Sequence, residues 1–124
     1  MNTELKMYKE FPSHPENEHY TVDGKVYPVI ALWEDAKKYK AFALPLDAID
    51  LRQELCEVKN HSDLFYQCMK VSECDPDFPI ILDNYGTIAD GRRRVIKAMM
   101  EGRATIQAIR LGTMPRGFDE GEDE

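Results

Sequence analysis

A chain of 124 residues, 43% hydrophobic and 31% charged, has material for one core and one domain, so any site must be assembled within a single small fold. Its formal net charge of −7 repels phosphate as a whole and argues against a DNA-coating role. No run approaches the length of a membrane span and the N-terminus has no apolar core of a signal peptide, so no membrane contact and a cytoplasmic location are expected.

Residues 1–18, ending in "FPSHPENEH", are polar and proline-containing and read as a flexible arm. A domain spanning 19–114 follows. Asp23-Gly24 sits between two β-prone runs and predicts a hairpin with strands at 19–22 and 25–28. Apolar residues at 29, 32, 33, 36 and 39 predict a helix over 29–39. "FALPL" predicts a strand that runs into a turn near Asp47. A second helix is expected over 63–73, capped by Ser62 or Asp63, with apolar positions 64, 65, 68, 69 and 71, before Pro76 and Pro79 forbid its continuation. Cys56, Cys68 and Cys74 are odd in number and lack a CxxC pair, so reduced thiols are expected. With His61 they form a spacing that fits no standard zinc module, so no zinc is expected.

The stretch "PIILDNYGTIADGRRRVIKAMMEGRATIQAIRL" is the most legible. "IILD" and "TIA" flank the turn composition Asn84-Tyr85-Gly86 and predict a second hairpin. Asp90-Gly91 then opens a helix that stops at Gly102, and a final strand follows. The whole predicts a small α+β domain, a mixed sheet with helices packed on it. Residues 115–124 are expected to form an acidic disordered tail.

Charge is split within this region. Residues 90–116 hold seven Lys or Arg against Asp90 and Glu101, whereas the final "GFDEGEDE" carries five carboxylates and no base. Three arginines at a helix start oppose the helix dipole, each at about 0.3–1 kcal/mol when exposed, unless an anion sits nearby. Helical stepping places Arg92 on the side of Val95, Ile96, Met99 and Met100, the expected buried face, with Arg93 and Arg94 diverging to either flank. Two anions answer the charge. One is internal, with Asp90 capping the helix and Arg92 paired to Asp83 or another acid. The other is an external phosphate or sulfate held by the first-turn N–H groups and the guanidinium forks.

These residues resemble the ParB/sulfiredoxin superfamily, in which a strand hairpin delivers a DGRHR or GERR loop to a helix start. The resemblance covers about 41–111, with "LPLDAIDL" similar to the opening strand and turn, and is strongest over 79–111. It implies phosphate binding at Asp90, Gly91, Arg92, Arg93 and Arg94, with CTP or ATP as ligand and Mg²⁺ supported by Asp83 and Asp90. Position 92 is arginine where sulfiredoxins carry the catalytic cysteine, and Arg93 stands where DGRHR has histidine. Sulfinic acid repair is therefore not expected. Binding is better supported than turnover, with slow nucleotide hydrolysis as its limit and no catalytic residue assigned. The alternative is a small interaction or inhibitor protein that presents its surface and acidic tail to a basic protein partner. A ParB-like DNA nuclease, drawing on Asp83, Asp90 and Glu101 for metals, is third, since net charge does not favour a nucleic-acid partner. The tail is also expected to reach back and compete with external anions for the arginines.

Overall fold

The computed structural model describes residues 18–49 and 56–119. Strands β1 (His19–Val22) and β2 (Lys25–Pro28) form the first hairpin, as expected. Asp23 and Gly24 both take positive φ, 55° and 73°, the geometry that lets a two-residue turn follow the strand twist. Helix α1 (Val29–Ala36) leaves β2 directly and buries Val29, Leu32, Trp33 and Ala36, the i, i+3, i+4, i+7 stripe of a core-facing helix. It stops before the expected residue 39, because Lys38 and Tyr39 donate to Asp35 and Ala36 in tight i→i+3 turns.

Strand β3 (Phe42–Pro45) runs into a single 3-10 turn at Leu46–Ala48. Helix α2 (His61–Glu73) begins earlier than expected, because its cap is Asn60. The Asn60 Oδ1 accepts from the Asp63 N–H at 2.9 Å, and the Asp63 carboxylate accepts from the Lys59 N–H at 3.0 Å, a nearly reciprocal arrangement. Then come β4 (Ile80–Leu82), β5 (Ile88–Asp90), α3 (Arg92–Met100), β6 (Thr105–Arg110) and β7 (Phe118–Asp119).

Two sheets result. β1, β2 and β7 form an antiparallel sheet, and the second runs β3-β6-β4-β5, with β4 and β6 parallel and the other pairs antiparallel. Helix α3 is the crossover between β5 and β6. The expected small α+β fold with a mixed sheet is what the chain adopts. Ile81, Ala89 and Ile109 face one core with Tyr20, Leu32 and Trp33, while Ile80, Leu82, Ile88 and Ala108 face another with Val95 and Ala98. Because the sheet is covered on both sides, "PIIL" is continuously apolar rather than alternating.

One expectation is corrected. Residues 115–119 do not belong to a disordered tail: Phe118 and Asp119 pair with Val26 and Lys25, and the Lys25 ammonium meets the Asp119 carboxylate. Residues 120–124, on which the expected tail competition at the arginines rests, lie outside the described residues. The apolar residues of α2 lie largely outside the core. Val71 is the only one of its buried residues, and Leu64, Phe65 and Met69 are exposed. The expected flexible arm over 1–18 lies, but for Glu18, outside the described residues.

Candidate functional site

The site is a strand–turn–helix junction. Asp90 closes β5, and Gly91 turns the chain at φ 106° as the residue before α3. A Cβ on Gly91 would meet Ile80 Cγ2 at 2.6 Å, Ile80 Cβ at 2.9 Å and an Arg94 terminal nitrogen at 2.8 Å, so both conformation and space require glycine. No side chain caps α3 and no acid lies in its first turn. The first helical bond runs from the Val95 N–H to the Gly91 carbonyl at 3.1 Å, so the N–H groups of Arg92, Arg93 and Arg94 precede the ladder.

The structure divides the arginine triplet. Arg94, not Arg92, is the buried member, 4% exposed, and its Nη2 donates to the Asp90 Oδ2 at 2.9 Å. The indole Nε1 of Trp33 donates to the same oxygen at 2.7 Å. The internal anion is thus Asp90 itself, serving Arg94 across one turn and not capping the helix. The buried stripe is Arg94, Val95 and Ala98; Arg92, half-buried, stands at its edge, about 60° around the helix from Val95. Val95 is buried and Met99 packs on the core as expected, whereas Ile96 is half-buried and Met100 is 76% exposed, so the buried face is rotated from the expected one toward Arg94 and Ala98.

Arg93 reaches α2. Its Nε donates to Gln67 Oε1 at 2.9 Å, and its guanidinium lies 5.7 Å from the centroid of the Tyr66 ring. The Nη2 of Arg92 donates to the Ile88 carbonyl at 3.1 Å, while its Nε is buried with no hydrogen-bond partner among the described residues. Both arginines, with Gly91, Tyr66 and Lys70, line an open cleft of about 790 Å³ between α1, α2 and the start of α3. Carboxylates of Glu18, Glu57, Glu73 and Asp75 line it too, so the positive potential is confined to the α3 end. Cys74 is part of the wall. Burial pushes its thiol up against the opposing pull of Lys97, Arg94 and Arg93, and Sγ donates to the Val71 carbonyl, an arrangement unsuited to a nucleophile.

Asp83, expected beside Asp90 as a magnesium ligand, is occupied by the fold. It is fully buried; its Oδ2 accepts from the Tyr20 hydroxyl at 2.7 Å, and its Oδ1 accepts from the N–H groups of Tyr85 and Thr87, both at 2.9 Å. The carboxylate shapes the β4–β5 turn. Asp90 has Arg94 and Trp33 on its Oδ2. The two acids are thus held in separate networks, Asp83 through both oxygens and Asp90 through Oδ2. Among the described residues no group of three or more His, Cys, Asp or Glu is placed to hold a metal, and no helix is long and apolar enough to cross a membrane.

The Tyr20–Asp83 bond makes a pH prediction. Burial, then the hydrogen bond to Asp83, raises the Tyr20 phenol well above its ordinary 10.0. The folded protein therefore holds this proton more tightly than the unfolded chain. Stability from this group is complete below pH 10 and is lost as pH rises toward the folded value. Urea midpoints of the native protein should fall above pH 10 more steeply than those of Tyr20→Phe. Parallel curves for the two proteins would contradict the linkage, since all other titrations are common to both.

Comparison of the chain with family models, curated proteins and solved structures gives no match. The motif had pointed to residues 90–94, and the structure gathers them with three residues that sequence reasoning did not place at the site. Tyr66 and Gln67 come from α2 and carry no spacing signal. Trp33 is packed, at 7% exposed, and its indole also fixes Asp90.

Proposed function

We propose that the chain is a ParB/sulfiredoxin-type domain that binds the phosphates of a nucleotide at the start of α3. The observation that carries this reading is an uncapped, acid-free helix start flanked by Arg92 and Arg93 at the end of an open cleft. First-turn N–H groups supply donors, the dipole favours the anion, and the guanidinium groups add charge-assisted bonds. The orphan Arg92 Nε is a further donor at the same place. Tyr66, 51% exposed beside Arg93, offers a ring on which a base can stack.

Roles divide accordingly. Gly91 shapes the turn, Asp90, Trp33 and Arg94 hold it, and Arg92 and Arg93 contact the ligand. The reading is one of binding, and no metal is needed for it. CTP and ATP are the first ligands to try.

Isothermal calorimetry with CTP, ATP, GTP and inorganic phosphate tests it. Binding heat is expected with at least one nucleotide, with affinity falling about tenfold or more in Arg92→Gln/Arg93→Gln as two charge-assisted contacts are lost. The melting temperature of that variant should stay near the native value. Absence of heat with every nucleotide at millimolar concentration would sink the proposal.

A further inference from the structure

Helix α2 shows a face that the fold leaves uncovered. Of its thirteen residues only Val71 is buried. Leu64 is 48% exposed, Phe65 68% and Met69 47%, and beside them stand Val58 at 46% and Met100 at 76%. Helical spacing makes these neighbours: Phe65 and Met69 are one turn apart, as are Leu64 and Cys68. Between α2 and the end of α3 runs a groove of about 480 Å³ lined chiefly by Val58, Leu64, Cys68, Val71, Ile96 and Met100. Ridge and groove thus lie side by side on one surface.

On ordinary side-chain areas, the five open apolar residues amount to roughly 500 Å² of nearly continuous surface, at the upper end for the largest patch of a monomer. With a polar rim added, that approaches the ~800 Å² per partner of a standard interface. Electrostatics at this face do not oppose a second copy. The chain carries −7 overall, so two copies repel, but Lys97 and Glu101 at the groove cancel one another and leave this face locally neutral. A two-fold interface uses one surface twice and needs a projection and a recess on it. Phe65 and the α2–α3 groove are such a pair.

We infer that this face is the two-fold interface of a homodimer, in which α2 of one copy lies against α2 of a second and Phe65 of each enters the other's groove. The interface stands on the side of α2 that carries Phe65 and Met69, whereas Tyr66 and Lys70 face the cleft; Cys56 and Gln67 line both cleft and groove.

Sedimentation equilibrium of the full chain, from low to high micromolar, tests the inference. A dimer is expected. Phe65→Glu should weaken association about tenfold or more, as removal of a central anchor does, with the native circular-dichroism melt. Ile30→Lys, on the exposed part of α1, should stay dimeric. If Phe65→Glu melts early, Met100→Glu at the more exposed groove edge carries the same expectation. A native chain that stays monomeric throughout, or a dimer that both glutamate variants leave intact, overturns it. So does a monomer whose α2 face captures a different protein.

Discussion

Replacing Arg94 with methionine is expected to cost about 3–5 kcal/mol of folding stability, the penalty for removing one partner of a buried ion pair. The side chain of Arg94 is 5% exposed and that of Asp90 16%, and their 2.9 Å contact closes the turn between β5 and α3. Without the guanidinium, Asp90 keeps only the Trp33 indole on its Oδ2 among the contacts described above, and a nearly buried carboxylate loses its counter-charge. A loss of that size is a large share of the 5–15 kcal/mol that holds a small domain together. Arg93→Met makes the comparison decisive. Arg93 is partly exposed and hydrogen-bonds an uncharged Gln67, so its removal should cost under about 1 kcal/mol while weakening anion binding. Urea unfolding of the two variants separates a structural arginine from a ligand-facing one. Equal losses in both would refute the division of the triplet.

Gly91→Ala should be nearly as damaging, at about 3 kcal/mol. Two terms contribute: strain from a non-glycine residue at φ 106°, and overlap of the new Cβ with Ile80 and Arg94. Gly102→Ala isolates the first. Gly102 also has positive φ, 71°, but nothing lies within 4 Å of its would-be Cβ, so strain acts there alone and about 1 kcal/mol is expected. The excess loss in Gly91→Ala measures how closely the turn is pressed on β4. Because Ile80 cannot yield without disturbing the core beneath α3, the variant should also lose the nucleotide affinity proposed above in the fraction that remains folded. If the two alanine variants prove equally stable, the tight seat of Gly91 on Ile80 is not a determinant of the fold.

What could be read from sequence follows from the range of the forces involved. Asp23-Gly24, Asn84-Tyr85-Gly86 and Gly102 act through their own backbone, and all three turns lie where their chemistry put them. The phase of α3 was not readable, because it depends on Gly91 lying against Ile80, eleven positions earlier, and so burial fell on Arg94 instead of Arg92. The bond that holds Asp83 was not readable, because its Tyr20 partner is 63 residues away. Periodicity marked α2 as amphipathic but carried no information on what its apolar side meets.

The contact between Trp33 and Asp90 has a practical side. Trp33 is the sole tryptophan of the chain, and its indole nitrogen lies 2.7 Å from the carboxylate that closes the β5–α3 turn. Its emission therefore originates beside the arginines and comes from no other part of the molecule. The protein carries an intrinsic optical reporter at its candidate site, able to follow that turn without any added label.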